Sequence, residues 1–160
     1  MALAALSAGG CGYTTQSQYP AEVRTVAVPI WTVGKNVYRR ELEFRLTEAI
    51  QKRIALDTPY KVASKGQADT LLTGTVDLVE QRVLSSNPDT GRPRELEVSI
   101  RVSFTWSDQR TGKTRKHEPS FKISKTYISH EPFDEDFFLG SGEVIDEMAR
   151  RIVERLEADW

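Results

Sequence analysis

Few side chains in this sequence can do covalent chemistry, and several can hold an anion. His117 and His130 are the only histidines, and neither belongs to an H-E-x-x-H helix. No G-x-S-x-G nucleophile elbow is present. Gly112-Lys113-Thr114 matches the end of a phosphate-binding loop, but Ser107 stands where its first glycine belongs. The triplet also falls in a turn between strands, so no ring of helix N–H groups faces a phosphate. Asp134, Glu135 and Asp136 are contiguous, without the spacing of calcium-loop ligands, and read as a solvated acidic turn. One cysteine, Cys11, excludes an internal disulfide and a cysteine zinc cluster. No enzyme activity, metal or cofactor is expected.

The anion-holding groups are unevenly placed. The whole chain is almost neutral, with 22 Lys and Arg against 23 Asp and Glu, which argues against a general nucleic-acid binder. Residues 92–125 nevertheless carry nine basic and four acidic side chains, and residues 131–160 carry three basic and ten acidic. Arg forks match phosphate oxygens in pairs and Lys adds point charge. Arg92, Arg94, Lys113, Arg115 and Lys116 are therefore candidate phosphate contacts. They lie around two loops, so only one set is expected to serve one ligand. The plainer alternative is a solvated, charged surface.

The elements that position these groups follow from periodicity. Residues 95–107 alternate strictly: Leu96, Val98, Ile100, Val102, Phe104 and Trp106 point one way, with charged and hydroxyl side chains between them. Residues 108–113 (DQRTGK) then read as a hairpin turn, and Phe121, Ile123 and Tyr127 mark the returning strand. Before them, residues 23–30 and 70–84 read as strands, the second with Leu72, Val76 and Leu78 on its dry side. A short strand is possible at residues 60–63. A helix is expected over residues 39–56, with Leu42, Leu46, Ala49, Ile50 and Ile54 as its stripe and Thr58-Pro59 as its stop. Phe44 falls outside the stripe, as a minor packing contact or a partner-facing aromatic. A second helix is expected over residues 142–158, capped by Ser141. Two amphipathic helices and a sheet with one dry face give an α+β, two-layer sandwich. Both helices cover one face of a mixed, mainly antiparallel sheet of about four strands, and the other face stays wet. At 160 residues the chain suits one such domain.

The first ten residues, MALAALSAGG, are uncharged and too short to span a bilayer, which takes about 20 residues. They resemble a truncated export signal lacking its basic start. Gly9-Gly10-Cys11 resembles the lipobox of bacterial lipoproteins, with Ala8 where leucine is usual. That likeness implies cleavage before Cys11 and a diacylglycerol on its sulfur. Gly12 in place of aspartate resembles outer-membrane sorting. The alternative is an ordinary thiol at a frayed start. The expected layout is a signal-like segment at 1–10, a lipidated tether at 11–22 and a single domain at 23–160.

Taken in order, VRTVAVPI at 23–30, RRELEFRLTEAI at 39–50, TPYKV at 58–62 and ADTLLTGTV at 68–76 resemble the LptE family. DQRTGK at 108–113 and GCGY at 10–13 fit the same family. The resemblance implies two helices on one face of a sheet and no catalytic residues. It implies a lipid-anchored protein on the periplasmic side of the outer membrane that plugs the LptD barrel, supports its assembly and helps insert lipopolysaccharide into the outer leaflet. Its partners would be an LptD-like β-barrel, lipopolysaccharide and, through the lipid on Cys11, the membrane. The same segments also resemble envelope lipoproteins with TolB-like folds. Those are protein-binding regulators, such as peptidoglycan synthase activators or secretion-channel components.

Overall fold

The structure is a computed structural model and describes residues 19–35, 37–38, 41–128 and 133–157. Its elements are β1 (Thr25–Ala27), β2 (Thr32–Val33), α1 (Leu42–Asp57), β3 (Lys61–Val62), β4 (Thr70–Ser86), β5 (Pro93–Asp108), β6 (Thr114–Ile128) and α2 (Phe133–Glu154). The fold class is α+β, with one sheet in the order β3-β1-β4-β5-β6 and β2 added beside β4. The sheet therefore has six strands rather than about four. The two extra strands are two residues long each; β3 falls within the short strand considered possible at residues 60–63, and β2 is too short for alternation to be visible in a sequence. Pairing is parallel among β1, β2, β3 and β4 and antiparallel from β4 to β6. The segment between the first strand and the first helix supplies β2.

The dry face is the one that the alternation in β5 foretold. Leu96, Val98, Ile100, Val102, Phe104 and Trp106 are all buried, and all but Leu96 share one cluster with the stripes of both helices. From α1 come Leu42, Leu46, Ile50 and Ile54; from α2 come Val144, Ile145, Met148, Ile152 and Val153. Each such side chain contributes about 1.5–3 kcal/mol by leaving water. Both helices follow strands antiparallel to β5, so α1 and α2 run in the same direction as β5. Arg45 near the start of α1 accordingly reaches the early part of α2, donating to Ser141 Oγ at 3.2 Å and to the Phe138 carbonyl at 3.3 Å.

Two expectations shift, one by a single residue and one by more than two helical turns. Register breaks between Val76 and Leu78, so Asp77 forms a bulge. Beyond it Val79 faces Ile100 and Leu78 faces Arg101. Leu78 therefore lies on the open face, not on the dry side with Leu72 and Val76. The second helix starts at Phe133, so Ser141 is inside it rather than at its cap, and its Oγ donates to the Phe138 carbonyl at 3.1 Å. Gly140-Ser141-Gly142 looks like a break but is a place of close approach. A Cβ on Gly140 would lie 2.6 Å from the Tyr127 ring. The acidic residues 134–136 are thus in the first turn of a helix, not in a loop.

Gly74 has the same reason for being glycine. A Cβ there would meet the buried Trp31 ring at 2.4 Å. The Trp31 ring packs on Phe104, with centroids 6.2 Å apart, and the Trp31 backbone N–H donates to Thr47 Oγ1 at 3.0 Å. Gly74→Ala forces this ring to move and is expected to lower the unfolding free energy by about 1–3 kcal/mol. Urea denaturation checks this; an unchanged midpoint contradicts it.

Candidate functional site

The open face of the sheet is built by the residues between the buried ones. Thr73, Thr75, Asp77, Arg101, Ser103, Thr105, His117, Lys122 and Ser124 lie on it, exposed or half-buried, with no helix above them among the described residues. They bond across strands. Thr32 and Thr75 hydroxyls are 2.8 Å apart, Ser103 Oγ donates to Asp77 Oδ1 at 3.2 Å, and Thr105 Oγ1 lies 2.9 Å from His117 Nδ1. The face is hydroxyl-rich and of mixed charge, chemistry suited to a hydrated or polar partner surface.

The candidate cations lie at the two ends of this sheet. β5 has 16 residues, so the hairpin at its start and the hairpin at its end are about 50 Å apart. The two loops use the same turn chemistry. Asn87 Oδ1 accepts the N–H groups of Asp89 and Thr90, and Asp108 Oδ1 accepts those of Arg110 and Thr111. Each turn then passes through a left-handed glycine, Gly91 at φ 68° or Gly112 at φ 70°, and ends on a cation, Arg92 or Lys113. Arg92 and Arg94 are exposed at the far end; Lys113 is exposed at the near end, where Tyr19 and Glu22 lead into the domain.

Arg115 is not an open ligand. Its guanidinium donates to Glu22 Oε1 at 2.9 Å and to Asp108 Oδ2 at 3.1 Å, and lies 5.5 Å from the Trp106 ring centre. Its side chain is 19% exposed, which identifies it as a clasp between the incoming chain and the hairpin. Lys116 stands opposite Trp106, on the helix side of the sheet, while Lys113 is on the turn. These three residues line a cleft of about 400 Å³ together with Arg155, and Trp106 Nε1 and Arg115 Nε are buried there without a hydrogen-bond partner. Nothing in the sequence spacing marked the Glu22–Arg115 pair, whose members are 93 positions apart. The expected lipid-bearing residue, Cys11, and one of the two histidines, His130, lie outside the described residues. Among the described residues no group of His, Cys, Asp and Glu could hold a metal ion, and no helix is long and apolar enough to cross a membrane.

The Thr111 N–H first, and then Arg115, hold the Asp108 carboxyl down to about 2. A depressed carboxylate stabilises the fold above its unfolded pKa near 4 and loses that contribution as pH falls through its folded value. Asp108→Asn keeps the turn acceptor and removes the charge. The variant is expected to unfold at a lower temperature than the parent at pH 7, with the gap closing between pH about 4 and about 2. Thermal melts across that range test this; a gap independent of pH contradicts it.

A family model described as LptE, lipopolysaccharide-assembly, matches residues 23–159. No curated protein sequence matches the chain. Among solved structures the chain is similar to an uncharacterized lipoprotein B from Nitrosomonas europaea, at 15% identity, TM-score 0.60, covering 93% of this chain and 91% of that one. It is similar to a hypothetical protein from Chlamydia trachomatis at 13% identity, TM-score 0.56, covering 84% and 95%. A minor lipoprotein from Acinetobacter baumannii gives 11% identity, TM-score 0.51, covering 84% and 92%. At these identities the structural likeness concerns the fold.

Proposed function

Since the chain belongs to the LptE family of lipopolysaccharide assembly, we propose that it is an outer-membrane lipoprotein that plugs an LptD-like β-barrel, supports its assembly and helps insert lipopolysaccharide. The observation that carries this reading is the bare sheet face. A hydroxyl-rich surface of six strands with both helices on its back is stable in water and stays wetted inside a polar barrel lumen. In this reading Cys11 carries the lipid that holds the domain at the periplasmic face of the outer membrane. A lipid chain adds about 0.8 kcal/mol for each CH₂ it buries.

The cations then have two different tasks. Arg92 and Arg94, exposed on the far hairpin, are the better candidates for lipid A phosphates. Lys113 and Lys116 lie at the tether end, and Arg115 contributes by fixing that end rather than by touching a phosphate. The partner contacts proposed here need no catalytic group.

Two bulky substitutions test the surface. Thr73→Trp and Ser124→Trp each add an indole at an exposed position of the open face, and Lys52→Trp adds one at an exposed position of α1. All three are expected to fold. The two sheet variants are expected to recover at least about tenfold less β-barrel partner from native outer membranes, because steric overlap at a packed interface costs 1–3 kcal/mol or more. The helix variant is expected to recover the parent amount. Equal recovery by all three contradicts the reading. Co-purification with a peptidoglycan synthase in place of a barrel supports the TolB-like alternative.

A further inference from the structure

The tether end of the domain carries a second surface whose charge is not spent within the fold. Five cations are exposed there: Arg24, Lys61, Lys65, Arg110 and Lys113. A chain of backbone bonds fastens their segments together. The Lys61 N–H donates to the Arg24 carbonyl at 2.9 Å, and the Arg24 N–H donates to Asp69 Oδ2 at 3.0 Å. The Gln109 N–H donates to the Asp69 carbonyl at 2.8 Å, and Gln109 Nε2 donates to the Lys65 carbonyl at 2.8 Å. Loop 63–69, the start of β1 and hairpin 109–113 thus form one rim.

The acids of this rim are engaged elsewhere. Asp69 accepts the N–H groups of Arg24 and Thr25 and the Thr25 hydroxyl. Asp108 and Glu22 are both taken by Arg115. Asp57 and Glu157 lie at this end too, but on its helix side, where Asp57 pairs with Arg53. The rim therefore carries five exposed cations against three carboxylates, of which Asp108 is buried, Glu22 is bound by Arg115 and Asp69, beside Arg110, is half-buried. The place where the chain enters the domain is the same place: Tyr19 packs edge-on against Tyr60 with centroids 5.4 Å apart. The eight peptide units from Cys11 to Tyr19 reach at most about 28 Å, against about 50 Å for the sheet.

We propose that the rim formed by Arg24, Lys61, Lys65, Arg110 and Lys113 docks on the anionic phospholipid surface of the bilayer that the tether enters. The lipid on Cys11 brings this end, and not the far hairpin, within reach of the headgroups. The rim adds an electrostatic contact that sets the tilt of the domain. The two chains of the diacylglycerol on Cys11 supply the anchorage, and the cationic surface beside them supplies orientation. The proposal rests on the function proposed above only for the position of the tether, because the rim itself needs neither a barrel nor lipopolysaccharide.

The test uses the full, unacylated chain and vesicles of phosphatidylethanolamine with about one-third phosphatidylglycerol. Sedimentation is expected to show binding at low salt that weakens as salt rises. The variant K61Q/K65Q/R110Q/K113Q is expected to bind at least about tenfold more weakly. K35Q/K52Q/R82Q/K125Q, with the same loss of charge at exposed positions outside the rim and the far hairpin, is expected to bind within about twofold of the parent. Thermal melts of both variants confirm that they fold. An equal loss in the two variants, or no binding of the parent to these vesicles, overturns the proposal. Neither outcome bears on barrel co-purification, so the two readings fail separately.

Discussion

A β-strand sends successive side chains to opposite faces, and β5 obeys that rule from Leu96 to Trp106 while lying in the middle of its hairpin partners. Every apolar side chain of that run is buried, and the side chains between them are hydroxyl or charged. This alternation divides the molecule into a dry half and a wet half. The helices have one place to go, because only one face offers apolar area. The hairpins that carry the cations extend from the two ends of the same strand. The clasp at Arg115 depends on β5 as well, since Asp108 is its last residue and Trp106 supplies the ring beneath the guanidinium.

Separation of the two halves also separates the tasks of charged groups. Cations in the clasp are consumed: Arg115 binds two carboxylates, and Arg155 lies 4.2 Å from the Phe121 ring centre while donating to Glu118 Oε1. Cations on turns and loops are exposed. The two hairpins share an Asx-type turn and a left-handed glycine, so both present a terminal cation in the same way, about 50 Å apart. A molecule of this shape has two distinguishable poles, one where the chain enters and one at the far hairpin.

The long elements were legible because their signals are long. Thirteen alternating residues define β5, and the α1 stripe recurs at helical spacing until Thr58, whose N–H and Oγ1 both close on the Ile54 carbonyl. What escaped was local or distant. β2 has two residues, too few for a period. The Asp77 bulge leaves composition unchanged yet moves Leu78 to the other face. Gly140 and Gly142 carry the signature of a helix boundary, and only the Tyr127 ring, on the neighbouring strand, explains Gly140 within α2. For the candidate site, the basic hairpins were readable from charge counts. The withdrawal of Arg115 was not, because it depends on Glu22 arriving from the other end of the sequence.

Everything turns on the sheet face that no helix among the described residues covers. Photo-crosslinking in intact envelopes addresses it most directly, with the reactive residue placed at Thr75, Thr105 or Thr126 on that face, or at Lys52 or Arg53 on α1. The account predicts one dominant adduct with a β-barrel protein from the three sheet positions and little from the helix positions. Adducts from the helix positions alone, with the sheet positions silent, would contradict it.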